Sequence, residues 1–362
     1  MRFWAAVRTR GVPSDKTVVM TRFGPSPPHS ATVTRGRLVT LLLLTVMTAH
    51  CASRSTPTRP APLGPINDQA LTLRVEVGTG RNPEIRQIPL EEYIRGSVPA
   101  EMPLGADDVV AGRLARLQAI LARTYALANL GRHRREGFDL CSSTHCQVYR
   151  PAAEQTPAVS RVVTAAVHDT SGVIITDGRG PIEALFHADC GGHTSSATDV
   201  WGGPAPGYLA GVPDAYCPTE NRNQWRLALE NDHLRRILNT DERTAVGRRL
   251  HSVEVAERDA AGRASLLTLD GTERRRVRAV HFRAVLTRQL GARAFRSARF
   301  EVARAATTFE FAGQGFGHGV GLCQTGAIVR ARRGSPVEQI LAHYYPGTWL
   351  ETYAAKSASP LD

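Results

Sequence analysis

Glu101 stands in the stretch GSVPAEMP, an acid among apolar neighbours between Pro99 and Pro103. The ordinary fate of a lone glutamate is to be solvated on a loop. If its flanks pack, desolvation raises the carboxyl's pKa, and a carboxyl still protonated near neutrality is what a general acid must be. A second grouping is HRREGFDLCSSTHCQVY, where four residues separate Cys141 from Cys146, His145 lies between them and His133 precedes Cys141 by eight positions. Two soft thiolates with one or two imidazoles suit tetrahedral zinc, whereas in an exported protein the same two thiols could instead close a local disulfide. In FHADCGGHTSSATDVWG, His187, Asp189 and His193 flank a Gly-Gly turn and could line a pocket or hold a catalytic metal. Cys190 there could pair with Cys217 across a separation of 27 residues, which leaves Cys323 with no evident partner. Finally, GQGFGHGVGLCQTGA crowds six glycines around His318 and Gln324. Such a run lets backbone approach a ligand closely, or is simply a tight structural turn. It has neither the Lys and Ser/Thr of a Walker loop nor a dinucleotide fingerprint.

The elements that must position these groups read as follows. ALTLRVEVG alternates as a strand does, and DDVVAGRLARLQAILARTYALANL, residues 107–130, carries apolar residues at helical spacing with Asp107 and Asp108 in its first turn. Pro103 and Gly105 separate that helix from Glu101, which places Glu101 on the loop feeding it. VVTAAVHDTSGVIITDGRGPIEALFHADC predicts a helix, a turn and two strands with Asp-Gly between them. The Arg-rich stretch 225–302 holds helices near 231–238 and 279–289 around a strand pair, HSVEVAERDAAGRASLLTLDG. A strand, the glycine loop, a helix and PVEQILAHYYPGTWL then close the chain. Helices and strands interleave irregularly, so the class is α+β and not a doubly wound sheet.

The net charge of +12 over 362 residues resembles a nucleic-acid binder's until it is located. Residues 1–50 hold seven Lys/Arg against one Asp, so 38 basic residues face 32 acidic ones in the remainder. That mild surplus suits an anionic cell-wall polymer, or a solvated surface, and does not call for nucleic acid. The segment RGRLVTLLLLTVMTAHCAS has a basic start, an apolar run and small residues, the pattern of a secretory signal too short to span a membrane comfortably. Cys51 directly after the run invites lipidation of its thiol, although His50 fits poorly before it. Four regions follow: an export segment 1–51, a Ser/Thr/Pro-rich linker 52–68, a domain 69–354 and a tail 355–362.

Taken together, YIRGSVPAEMP, LQAILARTYAL, DLCSSTHCQVY, ALFHADCGGHTSSATDVWGG, YLAGVPDAYC, GQGFGHGVGLCQTGAIVRAR and ILAHYYPGTWL resemble, in order, the motifs of the SpoIID/LytB-domain family. The resemblance implies a two-lobed α+β domain with a central cleft. It also implies a peptidoglycan lytic transglycosylase that prefers glycan strands stripped of stem peptides. It puts the catalytic glutamate on Glu101. Its structural zinc falls on His133, Cys141 and Cys146, with His145 a further ligand candidate, and its cleft walls on His187, Asp189, His193, His318 and Gln324. The implied partners are glycan strands and a cell-wall amidase, at a membrane-anchored site in the cell envelope. Where the family commonly carries a tryptophan shortly after EMP, this chain has LGADDVV, and its Arg-rich composition is unlike that of a low-GC spore former. Two rival readings stand beside the enzyme. One is a zinc amidase built on His187, His193 and His318. The other is a module that binds wall glycan or recruits an amidase.

Overall fold

The computed structural model describes residues 71–78, 83–217 and 223–353; Cys51, the export segment and the linker lie outside them. In chain order the elements are β1 (Thr72–Val77), β2 (Glu84–Pro89), α1 (Leu90–Glu101), α2 (Asp108–Ala128), β3 (Leu140–Cys141), α3 (Pro157–Asp169), β4 (Val173–Thr176), β5 (Phe186–His187) and α4 (Ala197–Trp201). They continue with β6 (Gln224–Glu230), α5 (Asn231–Leu238), β7 (Leu250–Arg258), β8 (Ala264–Gly271), β9 (Arg275–Arg278), α6 (Ala279–Leu290), β10 (Phe300–Ala305), β11 (Thr308–Gln314), β12 (Leu322–Cys323), α7 (Gln324–Arg332), α8 (Val337–Tyr344) and β13 (Trp349–Thr352). This is a mixed α+β protein with several small sheets.

Its apolar side chains form two clusters. The larger gathers β1, α1, α2, α3, α7 and α8, with α2 at the centre. α2 starts where its sequence says it should, because the Asp107 carboxylate accepts the Val110 amide at 2.9 Å. The smaller cluster packs Trp225, Phe282, Phe295, Phe300, Phe309 and Phe311 between the sheets β10-β11-β6 and β7-β8-β9 and the helices α5 and α6.

The placement of Glu101 differs from the sequence expectation. It closes α1 instead of lying on a loop. Pro99 inside that helix has no N–H to give the Arg95 carbonyl one turn back, and the Gln155 side-chain amide donates to that carbonyl instead, at 2.8 Å. Gly96 is equally specific: a Cβ there would lie 2.3 Å from the Tyr149 ring and 2.4 Å from the Arg150 carbonyl. α1 is thus a helix that tertiary contacts impose on poor helix formers. The segments on either side of Asp177-Gly178 meet at a single antiparallel bridge, Thr176 to Pro181, with Ile182 N donating to the Ile175 carbonyl at 3.1 Å; β4 pairs along its length with β13, antiparallel, and the two-residue β5 pairs in parallel with β12.

The start of α1 is fixed by charge. The Arg123 guanidinium, almost wholly buried in α2, donates to both Glu91 carboxylate oxygens at 2.7 Å and to the Val173 carbonyl of β4 at 3.1 Å. Removing one partner of such a pair strands the other in a poor solvent. We expect Arg123→Ala to lower unfolding stability by about 3 kcal/mol, and Glu91→Gln by less, measured as the shift in denaturant midpoint.

Candidate active site and its cysteine clusters

The Glu101 side chain is half-buried at the end of α1, beside the loop that carries the first cysteine pair. Burial pushes its carboxyl above the ordinary value, partly offset by the Val148 amide, which donates to Oε1. On the other side, Gln324 Nε2 donates to the Glu101 backbone carbonyl at 2.8 Å, across 223 residues of sequence. Gln324, expected on the substrate side, therefore holds the end of α1 in place.

Two residues before Val148 stands Cys146, and here all four expected ligands converge. The ligand atoms of His133, Cys141, His145 and Cys146 all lie within 4.8 Å of one another. His133 Nε2 is 3.3 Å from Cys146 Sγ, while His145 Nδ1 is 3.8 Å from Cys141 Sγ and 3.7 Å from Cys146 Sγ. Ligands on a tetrahedral zinc are separated by about 3.5 to 3.8 Å, so the residues fit the ion. The Glu136 carboxylate, 2.8 Å from His133 Nδ1, aims the opposite ring nitrogen at the sulfurs in the manner of a carboxylate–histidine–metal relay. Hydrogen bonds from Cys146, Ser143 and His145 hold the Cys141 thiol well below its ordinary pKa. Both cysteines are free thiols, so this set could hold a metal.

The HADCGGH stretch divides into parts with different surroundings. His187 is buried, with Nδ1 3.1 Å from the Val320 carbonyl and no partner for Nε2; its ring lies 5.5 Å from that of His318. Val320 N donates to His318 Nδ1 at 3.1 Å, and burial with Arg283 and Arg263 nearby pushes the His318 imidazole down to about 4. Burial also holds the His187 imidazole well below its ordinary value, so both rings are neutral at pH 7. Asp189, 1% exposed, is locked into a turn by the Gly191 amide at 2.9 Å and the Asn223 amide at 2.8 Å, and burial raises its carboxyl to about 6. His193 points Nδ1 at the Thr194 carbonyl, 2.7 Å away. Sequence reasoning did not single out Trp201, whose exposed ring lies 5.5 Å from that of His318, tilted 45° to it. Its place in DVWGG, just after a polar run, was the available sign.

The glycine run left two readings open, close approach to a ligand or a tight structural turn, and in the structure it holds backbone close to the protein itself. A Cβ on Gly319 (φ +88°) would meet the Arg263 guanidinium at 2.5 Å, and one on Gly321 (φ +70°) the Leu185 carbonyl at 2.0 Å. Cys323, expected to stand alone, faces Cys190 and Cys217 across the β5–β12 pair. All three are free thiols, so the expected Cys190–Cys217 bond is not formed here. With Asp214 they make a second set that could hold a metal; among the described residues these are the two such sets, and His187, His193 and His318 belong to neither. Among the described residues no helix is long and apolar enough to cross a membrane.

Comparison with known proteins matches residues 79–176 to the SpoIID family, described as Stage II sporulation protein, and residues 207–321 to a domain of unknown function (DUF8618). The first match contains Glu101 and the first ligand set; the second covers much of the Phe-rich cluster. Stage II sporulation protein D of Bacillus subtilis is 29% identical over 320 residues, 83% of this chain and 87% of that one. An uncharacterised protein of Brachyspira hyodysenteriae is 28% identical over 279 residues, 74% of this chain and 68% of that one. The amidase enhancer of B. subtilis is 25% identical over 300 residues, 72% of this chain and 40% of that one.

The raised carboxyl of Glu101 has a consequence for stability. The folded state favours the protonated acid, so this group stabilises the protein fully below its unfolded value of 4.5 and loses that contribution as pH rises through the folded value. We expect Glu101→Gln to melt higher than the parent at neutral pH, with the gap widening as pH rises above 4.5. Thermal melts of both proteins across that range check it; a gap independent of pH would refute the desolvated acid.

Proposed function

The chain belongs to the SpoIID domain family, and from that premise we propose that it is a peptidoglycan lytic transglycosylase with Glu101 as its single acid and base. The observation that carries the proposal is one carboxyl, raised by burial, gripped through its backbone carbonyl by Gln324 and through Oε1 by Val148. Ordinary glycosidases need two carboxyl groups. One suffices when the nucleophile belongs to the substrate. Protonated Glu101 donates its proton to the glycosidic oxygen between N-acetylmuramic acid and N-acetylglucosamine. The resulting carboxylate takes the proton of the muramic 6-hydroxyl as that oxygen attacks its own anomeric carbon. The product is a 1,6-anhydro end, with no water consumed. Intramolecular attack gives the protein mainly a positioning task, which the two grips on Glu101 serve.

A zinc ion held by His133, Cys141, His145 and Cys146 would supply a cross-link and no chemistry to the sugar, because four protein ligands leave no open position. Cys146 lies two residues before the amide that contacts Glu101, so tying this loop fixes the acid's partner. The neutral His187 and His318 and the open face of Trp201 belong to the substrate side of the reading, with the indole as a platform for a sugar ring. Substrate strands stripped of peptide, an envelope location and attachment through the N-terminal segment complete it.

Among the described residues, His187, His193 and His318 belong to no set of ligand atoms close enough to hold a metal, which counts against the zinc amidase. The similarity to an amidase enhancer favours one second reading, a module that acts through a partner amidase. Incubation of purified, peptide-free glycan strands followed by mass spectrometry separates the two. We expect fragments one water lighter than hydrolysis products, reduced about 10³-fold with Glu101→Gln. Intact strands with wild-type protein, together with faster cleavage by added amidase, would move the assignment to the second reading. Trp201→Ala should raise KM several-fold while leaving kcat within about a factor of three, read from initial rates on the same strands.

A further inference from the structure

We infer that Cys190, Asp214, Cys217 and Cys323 form a second zinc site, structural in character, that fastens the segment bearing His187 to the start of α7. None of the four is more than 2% exposed, and their ligand atoms lie within 4.8 Å of one another. Cys190 Sγ is 3.6 Å from Asp214 Oδ2, close to the separation of about 3.5 Å between sulfur and oxygen on a tetrahedral zinc. Three thiolates and one carboxylate are a soft, compact donor set that suits this ion.

The surroundings are built for charge on the sulfurs. Gly192 N donates to Cys190 Sγ at 3.3 Å, and Cys323 Sγ accepts from Cys190 N at 3.3 Å and from Gly326 N at 3.4 Å. Asp214 is oriented by the Tyr344 hydroxyl, which donates to Oδ2 at 2.7 Å, with Arg330 3.7 Å from Oδ1. Gly326 is required there, since a Cβ would fall 2.1 Å from that Oδ2. Such outer partners are what orient metal ligands.

A separate observation points the same way. Arg263 is 1% exposed, its Nε and NH1 have no hydrogen-bond partner, and NH2 donates to the Cys190 carbonyl at 2.9 Å. A guanidinium out of water needs a negative neighbour. Three thiolates and a carboxylate around a dication carry a net charge of about −2 and supply it. A Cys190–Cys217 disulfide would not: it removes two of the thiolates and leaves Cys323 idle.

The test counts zinc on the intact purified protein by native mass spectrometry and elemental analysis. Wild type should carry two zinc ions per chain, Cys141→Ser one, and Cys323→Ser one. Under denaturing, non-reducing conditions Cys190, Cys217 and Cys323 should all alkylate once a chelator is added. Should Cys323→Ser fail to fold, the wild-type count and the zinc retained by Cys141→Ser still decide. A Cys141→Ser variant with no zinc, a Cys323→Ser variant with the wild-type count, or a mass two hydrogens light across Cys190 and Cys217 overturns the site. These counts do not depend on activity, so they stand apart from the transglycosylase reading.

Discussion

Taking the Glu101 carboxyl out of water is the constraint on which the rest of the arrangement hangs. A half-buried acid is useful only if the helix that carries it cannot drift, because a small displacement re-solvates the group and returns its pKa to normal. α1 is therefore fastened at both ends: by the Arg123–Glu91 pair at its start, and by Val148 and Gln324 at its finish. The grips come from elements far apart in sequence, so the acid's chemistry is a property of the whole larger cluster and not of a local motif.

The two ligand sets serve that constraint in complementary ways. The first lies in the loop that delivers the Val148 amide. The second includes Cys323, the N-cap of α7, next to the residue whose side chain grips the Glu101 carbonyl. Each grip on the acid is thus one or two residues away from a cysteine cluster. The first of these loops, from His133 to Cys146, leaves residues 134–137 and His145 exposed, and a bound ion would be an efficient way to make it rigid.

Much of this was legible in the sequence, and the failures have physical causes. α2 announces itself because its apolar spacing and its Asp107 cap agree with its packing, and α5 because Leu234, Ile237 and Leu238 fall on its buried face. α1 was hidden by Gly96 and Pro99, whose helical state depends on Tyr149 and Gln155, contacts that no local pattern records. The first ligand set is readable because its members lie within 14 residues, from His133 to Cys146. The second is not, since Cys190 and Cys323 are 133 residues apart and meet through a two-residue strand pair and isolated bridges that no local pattern records. The glycine run stayed ambiguous because close approach of backbone to a ligand and close approach to an arginine or a carbonyl look identical in sequence.

The pairing of β4 with β13 sets an order of events. β4 carries the carbonyl that Arg123 binds, and its only neighbouring strand in that two-stranded sheet is the last one in the fold. Contacts so distant in sequence form late, because the chain entropy of closing the loop must be met before they contribute. The larger cluster is thus incomplete until residues 349–352 have been made. A chain still being synthesised carries Glu101 without its final surroundings, and the acid matures only when β13 has been made.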